Sequence, residues 1–503
     1  MQSIRLSVLL CMLFGAGAAN ALASAEGRSQ RPNILYIFTD DQSIRTVSCY
    51  PQAQPWAHTP NIDKLAKQGV RFSSCYTGAK CVPSRGNALT GRLQFNYTKD
   101  TAYWPVEFRK QGYFTGMIGK WHWNVPRHEE TWDWSAVWEH HLPGNMRNYY
   151  WDQSLRINGD KLVPIGYSTD SYTDLTIDFI RNRAKQKAQP WFFWLCYGAV
   201  HGPYTPADRH EQLYLDQPET PIPVDVFGPR VDKPKHMVDM SMWKKDKETG
   251  KPVYGKKSLD AWVKQYNQAV QAIDEGVGRI MTALTETGQL DNTIVIFTSD
   301  QGYAWGQHGY KLKIAPYDAT LLAPMIVMNQ NAFPSGQVCD VSVNGTDIIA
   351  AIHSLASVTS PFRLDGRDIS KLFTHPQKAD WHPDPMIQTY TGRLYGDEEI
   401  TKTIKAAGAT GIWDKLICDK KTGTPSWLML RQAQYKYIRY MQPDTLEELY
   451  DLEKDPDELQ NLAVKNKHHK RLAELRVATE KAFKAKGASF VDLLPEPRVE
   501  QLH

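Results

Sequence analysis

Two apolar runs fix the fold before anything else does, because each ends in acid. Asn33-Ile34-Leu35-Tyr36-Ile37-Phe38 leads into Thr39-Asp40-Asp41, and Thr293-Ile294-Val295-Ile296-Phe297-Thr298 leads into Ser299-Asp300-Gln301-Gly302. Runs that are apolar without alternation belong to strands buried on both faces, the habit of parallel strands in α/β proteins. In such open sheets ligands sit outside the carboxyl ends of the strands, so both acidic tails face one crevice.

The rest of the chain repeats the alternation of strand and helix. Thr59 can cap a helix with Pro60 in its first turn and Gly69 as its stop, and Val70-Arg71-Phe72 then reads as a strand. Trp191–Tyr197 and Ala323–Met328 read as core strands, and Asp347–Ser354 as a helix. Asp260–Thr287 carries apolar residues at helical spacing and ends at Gly288. The pattern predicts a large mixed, mainly parallel sheet flanked by helices. From about residue 376 it changes: Ile387–Tyr390, Trp427–Arg431 and Lys436–Met441 read as short strands and Lys470–Lys486 as a terminal helix. A catalytic unit over 26–375 and a smaller antiparallel sheet with a helix over 376–503 follow. Two stretches, Arg127–Gly166 and Pro203–Gly255, are rich in Trp, Tyr, His, Pro and Lys with weak periodicity, and loops this long in a compact domain are usually functional or disordered.

Met1–Ala25 has the form of a secretory leader: Arg5, an apolar stretch over Leu6–Ala19, and Ala23-Ser24-Ala25 as a small-residue cleavage site. The chain is thus read as exported, to the periplasm or surface of a Gram-negative bacterium or beyond it, with no membrane span. The formal charge of +4 falls to +3 when Arg5 leaves, too small for wrapping a polyanion, so nucleic acid is excluded as a partner. The six cysteines of the mature chain are widely spaced, with no C-x-x-C pair to suggest zinc and at most one or two disulfides.

Cys81-Val82-Pro83-Ser84-Arg85 precedes a run that reads as a helix. Asp40, Asp41, Asp300 and Gln301 offer only oxygen donors, the ligands of a hard cation, and Ca²⁺ accepts irregular geometry more readily than Mg²⁺. Together with Gly119-Lys120-Trp121-His122, Val200-His201-Gly202-Pro203 and Leu449-Tyr450-Asp451-Leu452, these segments resemble the type I sulfatases of the alkaline phosphatase-like superfamily. The resemblance implies that Cys81 is oxidised to formylglycine by a formylglycine-generating or anaerobic sulfatase-maturating enzyme. The hydrated aldehyde carries two hydroxyls, one to attack sulfur and one to collapse and expel sulfate. It further implies one Ca²⁺ held by Asp40, Asp41, Asp300, Gln301 and residue 81, with Gln301 standing where the family usually has Asn or His. Arg85 would hold the formylglycine hydrate. Lys120 would grip a sulfate oxygen, and His122, two residues on and sharing its face if the segment is extended, would contact the second hydroxyl. His201 would protonate the leaving alkoxide. Lys313 would be the second sulfate-binding lysine, with Lys311 its rival, and His308 would border the substrate pocket or stabilise backbone.

The substrate implied is a sulfated oligosaccharide or polysaccharide: an algal polymer such as ulvan, carrageenan or fucoidan, or a glycosaminoglycan. Two alternatives stand beside it. One is phosphonate or phosphate ester hydrolysis on the same fold, although phosphatases there gather several His and Asp around two transition metals. The other is a noncatalytic binder of sulfated glycans that keeps an unmodified Cys81.

Overall fold

The computed structural model describes residues 31–122, 128–139, 149–162, 166–186, 188–377 and 385–499. The leader Met1–Ala25 and parts of the 127–166 insertion lie outside these residues. At the centre is an 11-stranded sheet. Its strands in chain order are β1 (Asn33–Thr39), β2 (Val70–Tyr76), β3 (Phe114–Lys120), β4 (Trp134–Trp138), β5 (Leu155–Ile157) and β6 (Asp160–Leu162). They continue with β7 (Trp191–Cys196), β8 (Thr293–Ser299), β9 (Ala323–Met328), β10 (Gln337–Cys339) and β11 (Val343–Asn344). In space the order is β10-β2-β9-β8-β1-β7-β3-β4-β5-β6, with β11 also on β2. The middle, β8-β1-β7-β3-β4, is parallel throughout, whereas β9, β5 and β6 run antiparallel to their neighbours.

Every residue of β1 and β8 is buried, as their unbroken apolar runs require. Leu35 and Ile37 pack into one core with the helices α1 (Pro60–Lys67) and α4 (Leu259–Glu286). Ile34, Tyr36 and Phe38 pack into another with α2 (Cys81–Thr90) and α5 (Gly345–Ala356). Side chains alternate across a strand, so one helix layer covers each face. The remaining long helix of this unit, α3 (Ser168–Arg183), lies beside α4.

Two details of the sequence reading are corrected. Thr59 does not cap α1; its hydroxyl donates to Asp63 Oδ1 at 3.2 Å. The free N–H groups of Asn61 and Ile62 donate instead to Asp274 of α4, at 3.0 and 2.8 Å. Gly69 is not a left-handed stop: it passes so close to β9 that a Cβ there would lie 2.1 Å from the Val327 oxygen. Gly288, by contrast, takes φ 65° after α4, the left-handed turn expected of it.

A second, four-stranded antiparallel sheet runs β12 (Met386–Tyr390), β13 (Trp427–Gln432), β14 (Tyr435–Tyr440) and β15 (Glu448–Asp451). Helices α6 (Asp397–Thr410) and α7 (His469–Ala485) complete its core. The two sheets are joined by buried polar contacts: Trp427 Nε1 donates to the Ile314 oxygen at 2.9 Å, and Lys436 bridges Asp318 at 2.8 Å and Glu458 at 2.7 Å. The six cysteines described are all free, which removes the one or two disulfides that the spacing left open. Among the described residues no helix is long and apolar enough to cross a membrane.

Candidate active site

β1 and β8 pair in register, with Thr39 opposite Ser299, so Asp40 and Asp300 leave the sheet side by side. The Asp300 N–H donates to the Thr39 oxygen at 3.0 Å. The chain then turns at Asp41, φ 59°, whose N–H donates to Asp300 Oδ1 at 2.9 Å. Cys81 is the first residue of α2, 2% exposed, with its thiol donating to Asp40 Oδ1 at 3.4 Å. Ligand atoms of Asp40, Cys81 and Asp300 all lie within 4.8 Å of one another.

Three cations enclose these acids. Arg85, one turn into α2 and fully buried, donates to the Lys120 oxygen at 2.8 Å and to Asp300 Oδ2 at 3.3 Å. Lys120, the last residue of β3, donates to Asp40. Lys313 donates to Asp41 Oδ1 at 2.5 Å and to Cys81 Sγ at 2.7 Å. Burial would raise the Asp40 carboxyl, but the charges of Lys120, Arg85 and Lys313 outweigh it and hold it well below the usual range. Asp300 goes the other way: burial and then Asp40 raise it, against the pull of Arg85. The Cys81 thiol is pushed up to about 12 by burial and by Asp40, so as a thiol it is a poor nucleophile.

His201 follows β7. Its Nδ1 lies 2.9 Å from the Gly202 carbonyl, which can only accept, so the ring proton is on Nδ1. Nε2 is thereby left bare, 3.8 Å from Asp41 Oδ2. Burial, then Lys120, push the ring down to about 4, so it rests neutral. Tyr149, which sequence reasoning missed, stacks on it at 4.4 Å with planes 7° apart and lies 5.3 Å from the Lys120 ammonium. Only its place in an aromatic-rich insertion could have signalled it.

The remaining residues divide. His122 does not continue the strand: β3 ends at Lys120 and His122 has φ 45°, so the extended geometry that would put both on one face is absent. Lys313, not its rival, reaches Cys81; Lys311 turns instead over the rings of Tyr254, Trp262 and Tyr204. His308 is held by Asp225, Nδ1 to Oδ2 at 2.8 Å, and packs on Tyr317, whose hydroxyl donates to Glu448. Those contacts lead toward the second sheet rather than to Cys81.

Three carboxylates and an amide at one point are a donor set for a hard divalent cation. Asp40 and Asp300 fit such an ion directly beside residue 81, and it would relieve the repulsion that raises Asp300; Asp41, whose Oδ1 accepts from Lys313, joins them only after its carboxylate turns. Gln301 fits only after its amide turns, since Nε2 now donates to Asp41 while Oε1 accepts from Ser84 at 3.4 Å.

The sequence pattern of the family described as Sulfatase matches residues 32–358. The N-acetylglucosamine-6-O-sulfatase of Bacteroides thetaiotaomicron is 26% identical, the alignment covering 95% of this chain and 91% of that protein. The arylsulfatase of Clostridium perfringens is 25% identical over 92% of this chain and 96% of its own length. Among solved structures, one determined with its substrate D-glucosamine-2-N,6-O-disulfate shares the fold with a TM-score of 0.76. It is 24% identical and covers 91% of this chain and 99% of its own.

Proposed function

The chain belongs to the sulfatase family, and from that premise we propose that it is an exported enzyme hydrolysing a sulfate ester of a carbohydrate, with residue 81 acting as formylglycine beside one Ca²⁺. The observation that carries this reading is the convergence of Cys81 with three carboxylates and three cations in one buried cluster.

Charge balance points to the type of ester. With an ion bound and Asp300 ionised, Asp40, Asp41 and Asp300 against Arg85, Lys120 and Lys313 sum to zero, and His201 is neutral. A divalent cation adds two positive charges. A singly charged sulfate monoester and an ionised nucleophile cancel them, whereas a doubly charged phosphate monoester would overfill the site in a low dielectric. The ion, when bound, supplies a positive charge that acidifies the nucleophile's hydroxyl. The hydrated aldehyde at position 81 supplies a hydroxyl to attack sulfur and a second whose collapse releases sulfate.

The side chains do the remaining work. Lys120 and Lys313, each now on a carboxylate, are placed to turn onto sulfate oxygens. Arg85 fixes the end of β3 to the acids, so that Lys120 does not drift from Asp40. His201, with Nε2 bare, relays to the leaving sugar oxygen, as charge develops there, the proton that the nucleophile gave up to solvent on ionising. His122 is assigned to the second hydroxyl and His308 to the substrate rim.

The names of the relatives make a 6-O-sulfated glucosamine the first substrate to test. Release of sulfate from N-acetylglucosamine 6-sulfate, by protein whose position-81 peptide is about 18 Da lighter than the thiol form, supports the reading. A peptide that stays a thiol in protein from its native host supports the noncatalytic binder instead.

A further inference from the structure

Beyond the reacting cluster lies a second group of cations with no acid among them. Lys311 Nζ sits 4.4 Å from the Tyr254 ring centre, 4.9 Å from Trp262 and 5.2 Å from Tyr204. Lys421, from the turn between Asp419 and Thr424 of the second unit, donates to Tyr254 Oη at 3.2 Å and lies 5.7 Å from the same ring. Lys257 is the cross-strand partner of Tyr254 in a small three-stranded sheet of the 203–255 insertion and its flank, with its ammonium on the Gln265 side-chain oxygen. Among the described residues none of the three has a carboxylate within ion-pair distance. Burial, then Lys421 and Lys257, push the Lys311 ammonium down to about 8 against the opposing pull of Asp41.

This group is tied to the reacting centre. Lys311 is two residues from Lys313, at most about 7 Å of backbone. Its N–H donates to Met242 Sδ at 3.5 Å. Met242, Tyr254 and Lys421 line an open groove of about 800 Å³ that also takes in His236 and Thr422. An aromatic wall of Tyr204, Tyr266 and Tyr303 runs back from Lys311 to Asp41, whose oxygen accepts from the Tyr266 hydroxyl.

We propose that Lys311 and Lys421, gathered on Tyr254, hold a second anionic group of the saccharide whose sulfate ester reacts at position 81. The groove then takes the body of that saccharide, with Tyr254 presenting a ring face and edge to a sugar. The chemistry recognised is a sulfate or carboxylate on the same sugar or on the next one. This inference rests on the sulfated-saccharide reading above.

The test is binding, measured by calorimetry on the Cys81→Ala protein, which cannot turn over. Three probes are used: N-acetylglucosamine 6-sulfate with one anion, D-glucosamine-2-N,6-O-disulfate with two on one ring, and 6-O-sulfated glucosamine linked to a uronic acid with the second anion on the next ring. Lys311→Met and Lys421→Met should each weaken a doubly charged probe about tenfold and change the singly charged one less than twofold. Loss on the disulfate alone places the second anion on the reacting sugar; loss on the disaccharide places it on the neighbour. Lys421 is exposed, so its variant keeps the test intact should Lys311→Met fail to fold. Equal losses on all three probes, or no loss on either doubly charged one, overturn the inference and leave the enzyme reading untouched. If the Cys81→Ala protein binds none of the probes, the sulfated-saccharide reading falls and takes the inference with it.

Discussion

Arg85 is the residue whose removal the structure prices most clearly. Its guanidinium is fully buried, 3.3 Å from Asp300, 3.8 Å from Asp40 and hydrogen-bonded to the Lys120 oxygen. At an effective dielectric near 20, the closer pair alone attracts by about 5 kcal/mol. Desolvation of both ions opposes that, so the net cost of Arg85→Leu is what a broken buried pair usually shows, about 3–5 kcal/mol. Asp300→Asn should behave differently. Asp300 is held high by burial and by Asp40, so in EDTA at neutral pH its carboxyl gives up its charge readily, Asn removes little charge, and the stability change should stay within about 1 kcal/mol. Combined, the two substitutions should not add: the double variant should recover about 2 kcal/mol of the loss in Arg85→Leu, although all three are inactive. Urea unfolding in EDTA, followed by tryptophan fluorescence and far-UV dichroism, gives the cycle. Additivity within about 0.5 kcal/mol would refute the claim that Arg85 is there to balance Asp300.

Other outcomes follow from the same geometry. Cys81→Ser should fold but not turn over in a host that cannot oxidise serine, because a serine sulfate has no second hydroxyl to expel it; sustained sulfate release would end the formylglycine assignment. Purified active protein should carry one calcium by elemental analysis, lost in Asp300→Ala, and stoichiometric zinc in its place would favour phosphatase-like chemistry. With His201 resting near 4, the kcat/KM profile should show no histidine limb between pH 5 and 8; a break near 6.5 that disappears in His201→Gln would contradict its neutral state. His201→Ala should depress sugar-sulfate turnover far more than nitrophenyl-sulfate turnover, while Lys120→Ala depresses both, and equal losses for His201→Ala would take it out of the proton-transfer role.

What was legible in the sequence is what period and termini encode. The β1 and β8 runs, α4 with its stop at Gly288, and α7 appear within a residue or two of their observed limits, because burial on both faces or along one stripe leaves a plain pattern. β5 and β6 are three residues each and carry no such pattern, so the antiparallel edge inside the 127–166 insertion was invisible. α6 went unread because only Ile400, Ile404 and Ala407 are buried, yet its acidic first turn and Gly411 were signals in plain view. At the site, the acids and cations could be named from motifs. Their pairing could not: that Asp274 caps α1, that Tyr149 stacks on His201, and that Lys311 turns away from Cys81 all depend on side chains that meet from distant parts of the chain.

The in-register pairing of Thr39 with Ser299 carries a consequence for how such a protein can change. Because side chains on a strand alternate, a single inserted or deleted residue in β1 or β8 would displace one acid and also exchange the two core faces of that strand. The chemistry therefore has no gradual route to a new layout, and length variants in these strands should be dead in any library. The small sheet of the 203–255 insertion pairs apart from the central sheet, so its register does not set the reacting acids. Diversity introduced there, around Tyr254, can alter which saccharide is accepted while the reacting groups stay where the sheet has put them.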